Sequence, residues 1–146
     1  MIVSQAKDVA RQWVTEECKG LPDFLGAYLV GSITHLPDDV EFPGSSDVDV
    51  AVVLARPQAE NKPTKFLHHN VLIEVNYPPW DQINSPRQVL GEYRRAGGFR
   101  PSNILSDPSG DLTSLFSAVS RDFAKRGWVR KRCEDAMRNT LRFLQN

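Results

Sequence analysis

Apolar residues recur at helical spacing near the start of the chain, at Val9, Ala10, Trp13 and Val14, and the stripe runs on to Glu17. That spacing predicts a first helix capped by Ser4, reaching about Lys19 and stopped by Gly20. The pattern then changes to short aliphatic runs over 25–30, 47–54 and 71–76, each the length and composition of a buried strand. Ser85-Pro86 opens a helix predicted to reach Tyr93 or Arg95, and Gly97-Gly98 breaks it. A further short strand is expected over Asn103 to Ser106, followed by a turn over Asp107-Pro108-Ser109-Gly110. Asp111 opens a helix running from Leu112 to Arg126, and a last helical pattern covers Trp128 to Leu144. Val129, Cys133, Met137, Leu141 and Leu144 make an apolar stripe on that last helix, with little left in the chain for it to pack on. Strands interleaved with helices predict an α/β (α+β) fold with a mixed sheet and flanking helices.

The chemistry concentrates at the leading end of the second strand. In Ser46-Asp47-Val48-Asp49-Val50-Ala51-Val52-Val53-Leu54, alternate side chains share a face, so Asp47 and Asp49 point one way and Val48, Val50 and Val52 the other. Neighbouring carboxylates repel unless one takes a proton or a cation lies between them, and hard divalent ions such as Mg²⁺ prefer carboxylate oxygens. A metal site is the simplest resolution. Gly31-Ser32 ends the preceding aliphatic run; a glycine there admits close approach of backbone to a ligand. A helix begun after Ser32 would add free N–H groups and the Ser32 hydroxyl as a phosphate cradle. Glu74 sits within the aliphatic run Val71-Leu72-Ile73-Glu74-Val75, where a charge without a partner is costly. A cation shared with Asp47 and Asp49 on an adjacent strand offsets that cost. Three such carboxylates suit two metal ions about 4 Å apart, the arrangement that serves phosphoryl or nucleotidyl transfer.

In order, Gly31-Ser32, the pair Asp47 and Asp49 preceded by Ser46, and the later Glu74 resemble the nucleotidyltransferase superfamily that includes DNA polymerase beta. Its signature is a Gly-Ser turn, an acid-x-acid strand and a third acid on a later strand. Ile73-Glu74-Val75-Asn76-Tyr77 followed by Pro-Pro-Trp is most similar to antibiotic-type members such as kanamycin or lincosamide nucleotidyltransferases. One departure is the stretch from Thr34 to Ser45, with prolines at 37 and 43, which widens the usual interval between turn and acid pair and changes the loop over the nucleotide. The resemblance implies a mixed-sheet nucleotidyltransferase fold. The activity it implies is transfer of a nucleoside monophosphate from a nucleoside triphosphate, ATP for instance, to a hydroxyl, with release of pyrophosphate. It carries over Asp47, Asp49 and Glu74 as catalytic residues and ligands of two Mg²⁺ ions, and Gly31, Ser32 and Ser46 as nucleotide-binding residues. A small antibiotic-like acceptor is favoured over a protein side chain, as in toxin-antitoxin enzymes, or an RNA end. A non-catalytic nucleotide-binding module of the same fold stays open. A nucleotide-sugar glycosyltransferase with an Asp-x-Asp metal motif ranks last, because it leaves Glu74 unexplained and expects its hydrophobic strand before the acids.

Composition adds boundaries. At 146 residues and 40% hydrophobic the chain suits one domain with its own core. Cys18 and Cys133 lie far apart without metal-type spacing, which fits a reducing cytoplasm; no signal peptide or membrane span is expected. The net charge of zero is unevenly spread: residues 1–120 carry 10 basic and 15 acidic side chains, residues 121–146 carry 8 and 3. On the resemblance, residues 1–120 are expected to be the nucleotidyltransferase catalytic domain. Residues 121–146, with Arg121, Lys125, Arg126, Arg130, Lys131, Arg132, Arg138 and Arg142, are expected to be a basic helix, a solvated face more than a phosphate contact. The helix has no stop signal before Asn146, and antibiotic-type enzymes follow this domain with acceptor-binding helices. A truncated helical domain, a partner subunit or a homodimer is the corresponding expectation. His35, His68, His69, Tyr77 and Trp80 are secondary candidates for contacts with nucleotide or acceptor.

Overall fold

The computed structural model describes residues 1–145. Five strands form one mixed sheet: β1 (Phe24–Val30), β2 (Asp47–Leu54), β3 (Thr64–His68), β4 (Val71–Asn76) and β5 (Ile104–Ser106), in the spatial order β3-β4-β2-β1-β5. Only β2 and β4 run parallel; every other neighbouring pair is antiparallel. Helix α1 (Val3–Glu17) covers one face, where Val3, Ala6, Ala10 and Val14 pack with Val48, Val50, Val52, Val71, Ile73 and Val75. Helices α2 (Pro86–Leu90) and α3 (Asp111–Asp122) cover part of the other face, where Val89, Leu90, Leu112 and Phe116 meet Tyr28, Ala51 and Val53. Tyr28, Phe99 and Phe116 form the aromatic centre of this second layer, with Phe99 stacked on Phe116 at 4.4 Å between centroids. The acids at the head of β2 share this second face, beyond the helices' cover.

Several expected boundaries shift, each for a tertiary reason. Helix α1 begins before Ser4, because the N–H groups of Val3 and Ser4 donate to the carbonyls of Val40 and Asp38 at 2.9 Å and Gln5 Oε1 accepts from the Ile2 N–H. Glu17 is exposed and lies outside the buried stripe. The long stretch after Ser32 thus serves as a cap for α1. Phe42 plugs into the α1 side of the core and Lys7 pairs with Asp38 at 2.8 Å, so this loop is tied down on the face opposite the acids. After Ser32 the chain makes one 3₁₀ turn, Ser32–His35, in place of an α-helix, since Leu36 is extended ahead of Pro37. Helix α2 stops at Leu90 rather than near Arg95, where the Tyr93 N–H turns to Asp135 Oδ2 at 3.3 Å. Helix α3 is capped at a distance by Asp107, whose carboxylate accepts from the N–H of Leu112 and Thr113, and it ends at Asp122 instead of Arg126.

The last helix, α4, spans Arg126–Gln145; Asn146, the predicted open end, lies outside the described residues. Its apolar stripe is exposed, with Met137 65%, Leu141 53% and Leu144 72% accessible. Arg132 departs from the expectation of a solvated basic face. It is buried, donating to the carbonyls of Leu90 and Phe123 with its guanidinium 4.0 Å from the Phe123 ring centroid. These contacts fasten α4 to α2 and to the end of α3. Arg132→Ala is expected to cost about 2–3 kcal/mol, from two charged hydrogen bonds and a half-desolvated cation–π contact, read as a lower urea midpoint.

Candidate metal and nucleotide site

The parallel pairing of β2 with β4 places Asp49 opposite Glu74, on the face shared with Asp47. One oxygen from each of Asp47, Asp49 and Glu74 lies within 4.8 Å of the others. Both elements are rigid because their opposite faces, Val48, Val50, Ile73 and Val75, are fully buried. The neighbouring strand β1 delivers Gly31. Val30 pairs with Asp49 across the sheet, and Gly31 follows it with φ of 77°, so a Cβ at that position would collide with Asp49 Oδ2. Glycine is therefore required both by the backbone and by the carboxylate lying against it.

The electrostatics divide the acids. Burial, then the charges of Asp47 and Glu74, push the Asp49 carboxyl up to about 6. Its Oδ1 is buried and has no hydrogen-bond partner among the described residues. Asp47 moves the other way, held low mainly by the hydrogen bond and charge of Lys65, whose Nζ lies 2.9 Å from Asp47 Oδ2. Lys65 stands on β3 opposite Glu74, and so reaches the acids from the sheet edge. Pattern reading missed it because β3 is a sparsely apolar edge strand, with Leu67 69% exposed. The hairpin from β3 to β4 is closed by His69 and Asn70, both at positive φ, the backbone sense that two-residue type I′ turns need.

The metal fits these residues. The donor set is all carboxylate oxygen, as hard cations prefer, and the buried Asp49 Oδ1 is an acceptor that meets no donor among the described residues. Beside the acids a cavity of about 600 Å³ opens on the same face. Gly31, Ser32 and His35 form one wall; Tyr77, Arg94 and Arg95 line others. Arg100 braces the first wall by donating to the Thr34 carbonyl at 3.0 Å. Of the other sequence candidates, Ser46 precedes β2 with its N–H on the Pro43 carbonyl and does not line this cavity. His68 faces the α1 side of the sheet, in register with Phe66 and Val71, and so points away from the acids. Trp80 packs with the second core and lines a separate small pocket with Tyr77. Among the described residues, no helix is long and apolar enough to cross a membrane.

No protein-family model and no curated protein matches the sequence. Among solved structures, the chain is similar to a nucleotidyltransferase-like protein from Exiguobacterium sibiricum 255-15, with a TM-score of 0.55 at 16% identity over 88% of this chain. The match spans 41% of that protein's length. At this identity the likeness bears on the fold: the mixed five-stranded sheet with flanking helices is a nucleotidyltransferase-like fold.

Proposed function

We propose that this domain is a Mg²⁺-dependent nucleotidyltransferase that moves a nucleoside monophosphate from a nucleoside triphosphate to a hydroxyl of a small-molecule acceptor. The observation that carries the reading is the meeting of Asp47, Asp49 and Glu74 on one face, with an unpartnered Asp49 oxygen set against Gly31. Asp47 and Asp49 would hold Mg²⁺ shared with the triphosphate, and Glu74 would complete the ligand set of a second ion on the acceptor side. Bound there, Mg²⁺ supplies charge neutralisation for the attacking and leaving oxygens of an in-line displacement. Glu74 accepts the proton of the acceptor hydroxyl; that oxygen bonds to the α-phosphorus, the bond to the bridging oxygen breaks, and pyrophosphate leaves. Ser32 donates its hydroxyl to a phosphate oxygen, and Gly31 keeps the backbone out of the way of both phosphate and Asp49.

The acceptor in this reading approaches from the Glu74 flank, where Lys65 is half exposed at the sheet edge. The preference for a small molecule rests on the Ile73-Glu74-Val75-Asn76-Tyr77 resemblance. The exposed stripe of α4 is where acceptor-holding helices, of this protein or a partner subunit, would pack. Calorimetric titration of ATP and GTP with and without Mg²⁺ tests the site. Binding that needs Mg²⁺ and disappears in Asp47→Asn/Asp49→Asn is expected. Binding that persists in that variant would move the nucleotide elsewhere, and pyrophosphate release on addition of candidate hydroxyl acceptors then distinguishes an enzyme from a binding module.

A further inference from the structure

The cavity beside the acids has an electrostatic character opposite to theirs. Among the described residues that line it are two consecutive arginines, Arg94 and Arg95, together with His35, and no carboxylate. Gly31 belongs to both regions, touching Asp49 on one side and lining the cavity on the other. A ligand that spans them therefore has one part held through cations at the acids and another that is itself strongly anionic. The guanidinium groups have capacity for it. Arg95 pairs with Glu92 through Nη1 at 3.2 Å, which engages a fraction of a five-donor fork. Arg94 donates Nε to the Tyr93 hydroxyl at 2.9 Å and pairs with no carboxylate among the described residues. Planar guanidinium forks match phosphate oxygens in two-point contacts, and Tyr28 and Phe99, both nearly fully buried, also line the cavity.

We propose that Arg94 and Arg95 are positioning residues for the two phosphates that depart, so that the cavity is the pyrophosphate subsite. The assignment rests on the nucleotidyltransferase reading and gives direction to it: the triphosphate lies with its α-phosphate at the acids and its β and γ groups over Ser32 toward the arginines. Acceptor and leaving group are thereby separated, Glu74 on the β4 side of the acids and the arginine cavity on the Gly31 side.

Titration of inorganic pyrophosphate, with AMP as a second probe, tests this on the full chain with Mg²⁺ present. Arg94→Met and Arg95→Met are each expected to weaken pyrophosphate binding about tenfold, and the pair about a hundredfold, with AMP and Mn²⁺ binding unchanged and a shallower salt dependence. Glu92→Gln, which frees the Arg95 fork without removing it, is expected to keep or tighten pyrophosphate binding; Arg95→Lys, which leaves a cation for Glu92, guards against a folding artefact and should recover part of the loss. Unchanged pyrophosphate affinity in the double methionine variant overturns the assignment. So does a wild-type chain that binds Mn²⁺ at the acids and no pyrophosphate, which leaves the metal site standing. Arginine-dependent pyrophosphate binding that survives Asp47→Asn/Asp49→Asn supports the subsite, Mn²⁺ binding that persists in the same variant counts against the metal reading of the acids, and binding of neither probe overturns both.

Discussion

Asp49→Asn is expected to lower nucleotidyl transfer by about a thousandfold, equivalent to ~4 kcal/mol of barrier, because it removes the carboxylate that both Asp47 and Glu74 face. The same substitution is expected to make the metal-free domain more stable at neutral pH, and the two effects share one cause. Folding pushes the Asp49 carboxyl up to about 6, from an ordinary value near 3.8, so the folded state prefers it protonated. Stability contributed by that proton is complete below the ordinary value and is lost as pH rises through about 6. Asp47 has the opposite sign: held low by Lys65, it stabilises above its ordinary value, and that contribution fades only in more acidic solution. Between about pH 7 and 4 the wild-type Tm in EDTA should therefore climb as pH falls, and the Asp49→Asn variant should start higher and stay flatter. Mg²⁺ favours the ionised carboxylate, so its stabilisation of the wild type should grow with pH over the same interval and vanish in the variant. A variant with full transfer activity, or with the wild-type pH profile, would remove Asp49 from the site. Thermal melts across this pH range, paired with an assay for released pyrophosphate, read both halves.

The acids were legible in the sequence because their geometry is local. Strand alternation alone puts Asp47 and Asp49 on one side, and the aliphatic runs that anchor them were long enough to place β2 at 47–54 and β4 at 71–76, where they stand. That Glu74 comes opposite Asp49 depends on a parallel register between strands with β3 interposed in sequence, which no local pattern encodes. β3 itself escaped notice: an edge strand with one buried-side aromatic, Phe66, and a lysine on its other face reads as polar loop. Its loss hid Lys65, the one cation bonded to the triad among the described residues. The arginine wall escaped for a related reason. A helix carried on to Arg95 would have spread Arg94 and Arg95 around an amphipathic cylinder; the early stop at Leu90 instead leaves both lining the cavity. Arg132 shows the limit of charge counting, since one member of a basic run became the buried tie between α4 and the rest of the domain.

Gly31→Ala is the second large effect expected, and it separates the needs of the fold from those of the site. The backbone alone, at φ of 77° and ψ of −162°, lies in a region that glycine alone adopts readily, so a Cβ costs about 1–3 kcal/mol there. The added methyl also collides with Asp49 Oδ2, and Cγ lies only 3.1 Å away, so the carboxylate has to rotate off the position where it faces Asp47 and Glu74. Stability is therefore expected to fall by about 2–4 kcal/mol while Mg²⁺-dependent nucleotide binding weakens by more than about tenfold, a larger loss than strain in a still-folded chain explains. Truncating the carboxylate tells the two apart. In an Asp49→Ala background the collision is gone, because Asp49 Cβ lies 3.4 Å from the added methyl, an ordinary contact. There Gly31→Ala should cost only the backbone strain, and the double-mutant cycle should show a coupling of about 1 kcal/mol in urea unfolding. Additive costs would mean that Asp49 gives way freely and that glycine serves the turn alone. Coupled costs would mean that the turn and the acid pair are one device, the glycine being present because a carboxylate must lie against the chain at the point where β1 ends.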